Sequence, residues 1–341
     1  MSGSSFPEFD YSNSSTVLGA NGQISFSNIF GTGPAIGGQS AIYNGIGAVP
    51  PASDSPNASL VVKGGSATTI PDGYSAVYDL SNNDTITGAS SGLGVYLQNN
   101  SDYVGTSGND TIYAGGADTI AAGSGATDVF AGANGATVSG GSGSLQFVGG
   151  AGAAKVVGGS GNTTLFGGTG SSASVLIGGT GNNTLIGGSG SGPNTLSGGS
   201  GNPFGAQNNV MFANGSGATV FQQAPLQGTT LINGTTGTGQ ELVVGSTFGA
   251  IQDTVALNNN ADTVLSGAGV TNILGGQGPD LFGIFNGDGA TTNIYGFKSI
   301  DQIAFVNVGI SKEQVVNGSD VITTNGGDTV NLIGVDHKLF T

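Results

Sequence analysis

Five aspartates stand where type and spacing could do chemistry: Asp110, Asp118, Asp128, Asp262 and Asp280. Each has an apolar residue two positions on, Ile112, Ile120, Phe130, Val264 and Phe282. The first three follow one another at steps of eight and ten. Carboxylates recurring at that interval come to one edge of stacked turns. There they could reach an oxygen-seeking cation lodged between successive turns, and Ca²⁺ asks for roughly 6–8 such oxygens. The other reading is local, because Asp commonly hydrogen-bonds the backbone of its own turn. Most other site chemistry is excluded. Cys is absent, so there is no disulfide, thiolate zinc site or thiol nucleophile. The single His, His337, cannot build a multi-His metal centre and reads as a solvated tail residue. No His-Glu-x-x-His run occurs, and no Gly-x-Ser-x-Gly elbow has a His partner placed to serve it. The many Gly-x-Gly-x-x-Gly coincidences open no helix. A non-enzymatic chain is the expectation.

The elements that position these acids are written in a repeat. From residue 140 to 202 the chain reads as units beginning Gly-Gly-x-Gly, at Gly140, Gly149, Gly158, Gly167, Gly178, Gly187 and Gly198. A glycine-rich turn followed by a strand of about three residues cannot be stable alone, so such units must stack. The expected fold is all-β, a β-solenoid in which two units make one coil and coils repeat at roughly 4.8 Å. Phe147, Val156, Leu165, Leu176, Leu185 and Leu196 are expected to form one continuous apolar column. Asn162-Thr163, Asn182-Asn183 and Asn194-Thr195 occupy equivalent places in different units, which predicts ladders of like side chains hydrogen-bonded along the stack.

The unit resembles the RTX (repeats-in-toxin) nonapeptide, Gly-Gly-x-Gly-x-Asp-x-apolar-x. Gly275-Gly276-Gln277-Gly278-Pro279-Asp280-Leu281-Phe282-Gly283 matches it in full, and the run from Gly105 to Tyr113 differs only at the second Gly. The resemblance implies a parallel β-roll with Ca²⁺ held at the turns that keep the acid: Asp110, Asp118, Asp128, Asp262 and Asp280. The central units depart from it. Their sixth positions are Leu145, Ala154, Thr163 and Asn183, and no carboxylate lies between Gly132 and Asn202. Those coils are expected to hold together without metal. The segment after the last nonapeptide, through Ser319–Thr324, Asn325-Gly326-Gly327-Asp328 and Thr329–Val335, reads as a hairpin and final strand. It resembles the C-terminal region of RTX proteins exported by the type I route. That implies an extracellular location, and the first residues show no basic and apolar leader.

Four regions follow: a β-rich N-terminal arm or cap over 1–58, an irregular β lead-in over 59–104, the RTX-like roll over 105–290, and a C-terminal cap with the export-like region over 291–341. The chain has 341 residues, 68 of them Gly, and a formal net charge of −15 with only 5 Lys and Arg together. Phosphate neutralisation is therefore excluded as a mode of binding, and with it nucleic acid as a partner. No apolar run reaches membrane-spanning length. The functional expectation is a secreted structural protein that self-associates into an extracellular fibre, biofilm matrix or surface layer. The alternatives are a calcium-dependent adhesion module, with a cell-surface or matrix polysaccharide as partner, and, behind it, an ice-binding solenoid.

Overall fold

The computed structural model describes residues 40–54, 58–64, 67–199, 207–222, 228–246, 251–285 and 289–340. The expected N-terminal arm lies outside them up to residue 39. All regular structure among the described residues is strand, and no helix is present to cross a membrane. Successive strands alternate between two parallel sheets, so two strands and their turns make one coil of a β-solenoid. The chain forms two compact units, residues 1–160 and 161–341.

In the first unit, one sheet stacks Ser40–Tyr43, Ser59–Val62, Ala76–Asp79, Gly94–Leu97, Asp110–Ala114, Thr127–Ala131 and Leu145–Val148. The other stacks Ala67–Thr69, Thr85–Thr87, Asp102–Val104, Asp118–Ala121, Ala136–Ser139 and Ala154–Val157. The region expected to be an irregular lead-in is thus built of the same parallel coils as the rest. Ser40–Tyr43 also joins that stack. Alternation of side chains across each strand sends one residue inward at every coil. The first sheet contributes Leu60, Val77, Val95, Ile112, Val129 and Phe147 in register. The second contributes Ile86, Tyr103, Ile120, Val138 and Val156. All are buried.

The second unit repeats the plan. Leu165, Leu185, Met211, Ile232, Val255, Ile273, Ile294 and Leu332 fall on the inner face of one sheet. Leu176, Leu196, Phe221, Val243, Val264 and Phe282 fall on the inner face of the other. The six residues expected to share one column therefore belong to two facing sheets, because each coil contributes two strands. The expected ladders form only in part: Thr163 and Asn183 meet in one sheet, whereas Asn194 lies in the other, opposite Ser174 and Thr219. Asn183 donates to the Asn209 carbonyl oxygen at 2.8 Å and accepts from the Thr163 hydroxyl at 2.7 Å. On the outer face a further ladder runs from Asn331 to Asn293 to Asn272, at 2.7 and 2.9 Å.

The Gly-Gly-x-Gly turn has a steric cause. A Cβ at Gly159, the second glycine of its unit, would overlap the Gly141 carbonyl oxygen of the coil below. Gly190, the glycine at the fourth position of its unit, meets the Gly170 carbonyl in the same way. The turns stack backbone on backbone, and only glycine leaves room.

The second unit ends differently from its body. Thr329–Ile333 pairs in parallel with Thr291–Tyr295, then antiparallel with Ser319–Thr324, which pairs antiparallel with Ile310–Val316. The expected hairpin is there, closed by a four-residue turn in which Thr324 and Asp328 exchange hydrogen bonds. A second hairpin, Ile310–Val316 with Ser319–Thr324, turns on Asn317 and Gly318, with φ of 50° and 74°. Positive φ at both central residues marks the two-residue turn that matches strand twist.

Candidate functional site

Two residues before each inward apolar residue lies a second inward position, at the start of the strand. It is apolar in several coils, as at Leu93, Ala136, Leu145 and Ala154, and polar and buried in most of the others, and it is where the acids sit. Asp110 and Asp118 in the first unit, and Asp262 and Asp280 in the second, occupy it. Asp128 does not. Thr127 and Val129 face inward, so Asp128 points outward between them, paired with Thr111 and Gln146. The Asp-x-apolar pattern there was shifted by one residue: Val129 fills the core and Phe130 lies outside. Position parity decides the face, and one residue of shift reverses it.

The buried acids share one task. Each receives a backbone N–H from the preceding coil. Asp110 accepts from Leu93 N–H at 3.1 Å and from the Tyr103 hydroxyl at 2.7 Å. Asp118 accepts from Ser101 N–H at 2.8 Å and Gly116 N–H at 3.0 Å. In the second unit the bonds form a staircase. Asp262 takes Glu241 N–H at 2.8 Å, Asp280 takes Asp262 N–H at 3.2 Å, and Asp301 takes Asp280 N–H at 3.0 Å. Where Asn replaces the acid it serves its own turn instead: Asn194 accepts from Gly188 N–H at 2.8 Å and Asn183 from Gly179 N–H at 3.1 Å.

Burial raises these groups against their hydrogen bonds. It pushes Asp118 and Asp280 up to about 6, the latter also through its neighbours Asp301 and Asp262. It raises Asp110 and Asp262 as well. Sequence reasoning overlooked three stronger cases. Burial lifts Asp79 to about 7 and Asp253 to about 7, and lifts Glu241 to about 8 with help from Asp262 and Asp280. Asp253 and Glu241 sit at the same strand-start position, opposite Thr230 and Thr219. They escaped notice because loops of varied length separate the strands there and hide the period.

Among the described residues no three His, Asp or Glu side chains group closely enough to hold a metal ion. The oxygens of Asp110, Asp118 and Asp280 already receive N–H or O–H donors. At the one full nonapeptide, the Gly276 carbonyl accepts from the Lys298 ammonium, while Lys298 N–H donates to Asp301 at 2.8 Å. A protein cation already serves that turn.

The remaining functional geometry is at strand edges. Among the described residues, Gln302–Val306 pairs with Leu281–Phe285 alone, and Ser40–Tyr43 and Ala67–Thr69 each pair on one side only. Comparison with protein-family models, with curated proteins and with solved structures found no match.

Proposed function

We propose that this chain is a non-enzymatic, secreted structural protein that self-associates through the open edges of its β-solenoid into an extracellular fibre, matrix or surface layer. The observation that carries this reading is the one-sided strand Gln302–Val306. Its outer N–H and C=O groups are a template for another parallel strand. A different edge, at Ser40–Tyr43 or Ala67–Thr69, presents the complementary groups. Contact between unlike edges of identical chains does not close on itself, and so grows. Low charge density and side-chain ladders along the stack support the same reading, because they favour continued stacking over repulsion.

Negative-stain microscopy of purified protein tests this, at one concentration, with Ca²⁺ and with chelator. Ordered fibres or sheets in both samples are the expected outcome. Assembly only with Ca²⁺ would move the reading to the calcium-dependent adhesion module. Dispersed monomers in both would overturn self-assembly.

A further inference from the structure

An outward-facing column of the first unit stands apart from the inward apolar columns, the acid ladder and the edges, although its first ring is covered. Tyr78, Tyr96, Tyr113 and Phe130 pair in register on successive coils. Their rings stack nearly parallel. Tyr78 and Tyr96 have centroids 4.8 Å apart at 13°, Tyr96 and Tyr113 4.8 Å at 5°, and Tyr113 and Phe130 5.4 Å at 16°. Each ring therefore lies over its neighbour with like atoms facing. Tyr78 is buried, whereas Tyr96 and Tyr113 are half-buried. Gly94 flanks Tyr96, and even a Cβ added there would stay 3.8 Å from the ring.

We propose that Tyr96 and Tyr113 form an oxidative cross-linking site, joined as dityrosine by a one-electron oxidant of the haem-peroxidase class acting with hydrogen peroxide. Each tyrosine gives up one electron and its hydroxyl proton. The two phenoxyl radicals combine through the ring carbons beside their oxygens, forming one carbon–carbon bond. The hydrogen on each joined carbon then returns to its own oxygen, restoring two phenols. The protein loses two hydrogen atoms in total, and one hydrogen peroxide takes up two electrons and two protons to leave two waters.

The geometry selects this pair. Coupling is second order in radicals, and a stack holds two of them together in advance. Phe130 has no hydroxyl and ends the column, while Tyr78 is closed to an oxidant. The bond would staple the coils of Gly94–Leu97 and Asp110–Ala114 along the stacking direction, where the wild-type chain has only hydrogen bonds and packing. The proposal is independent of self-assembly, because both rings belong to one chain.

The test treats dilute, monomeric full-length protein with horseradish-type peroxidase and hydrogen peroxide, then isolates the monomer. Dityrosine emission should appear there, and peptide mass analysis should find the peptides of Tyr96 and Tyr113 joined with the loss of two hydrogens. Tyr96→Phe and Tyr113→Phe keep the stack, as Phe130 already does, and each should remove that joined peptide. Tyr295→Phe, which alters an exposed tyrosine in the second unit, should leave it unchanged. A monomer without dityrosine overturns the proposal, as does emission unaffected by Tyr96→Phe, or oxidation of Tyr96 to unpaired products only.

Discussion

At the scale of single residues, the buried acids run against the usual pH behaviour of proteins. An Asp that gains a salt bridge is stabilising when ionised and is lost in acid. Asp253 is the reverse: it has no exposed surface and its pKa rises from the ordinary 3.8 to about 7. The folded chain then binds a proton that the unfolded chain has released. Its contribution to stability is full below about pH 4 and is lost as pH rises through about 7. Glu241, raised to about 8, and Asp79, raised to about 7, act with the same sign. The protein should therefore melt at a higher temperature at pH 5 than at pH 8 in metal-free buffer. Asp253→Asn, which keeps shape and removes ionisation, should flatten that difference and stabilise the chain at pH 8 by on the order of a few kcal/mol. Thermal melts of both proteins at the two pH values check it. An unchanged pH slope in the variant would show that Asp253 does not hold the proton.

At the scale of the element, the turn decides what can be varied. Gly159→Ala forces a methyl onto the Gly141 carbonyl oxygen, backbone against backbone, with no flexible end to yield. It should cost about 1–3 kcal/mol or more, as overpacking does. Ser160→Ala, one residue on and exposed, should stay within about 0.5 kcal/mol. Urea unfolding of the pair distinguishes stacking from mere glycine flexibility. The same steric rule explains what was legible in the sequence. The glycines at the second and fourth positions repeat because each touches the coil below, so the period and the two-strand coil can be read directly, whereas the Asn183–Asn209 rung reaches past the regular block and cannot. The face of Asp128 cannot. In Thr127-Asp128-Val129-Phe130 either Val129 or Phe130 could be the core residue, and only the ring of Tyr113 on the neighbouring coil shows why Phe130 goes outside. The aromatic column was readable in principle, as Tyr78, Tyr96 and Tyr113 recur at nearly the length of a coil. Its rungs stand outside the Gly-Gly-x-Gly block, and attention to that block hides them. The acid staircase is obscured for a different reason: nothing in a lone Asp301 says that it will accept the N–H of Asp280 on the preceding coil.

At the scale of the whole molecule, the self-association proposed above would demand control of the edges, and residues 336–340 lie beside the terminal hairpin where they could bear on one. Glu313 and Asp320 are buried on the terminal hairpin, and burial together with the nearness of Glu313 raises Asp320. The pair grips the tail by its backbone. Glu313 accepts Leu339 N–H at 2.7 Å and Phe340 N–H at 2.9 Å, and Asp320 accepts Leu339 N–H at 3.2 Å. So held, Phe340 sets its ring edge-on against Phe305, centroids 5.4 Å apart at 80°. Phe305 belongs to Gln302–Val306, the strand whose free edge carries the self-association proposed above. The tail packs on a side chain of that strand, and on the self-association proposed above it is expected to slow the arrival of another strand there. Removing residues 336–341 should shorten the lag before light scattering rises, at fixed protein concentration and pH, and Phe340→Ala should shorten it by a smaller amount. The truncation deletes no strand, so far-ultraviolet circular dichroism should keep its shape. A lag unchanged by both variants would mean that growth uses another edge, Ser40–Tyr43 or Ala67–Thr69 alone. A longer lag would mean that the tail itself is part of the contact between copies.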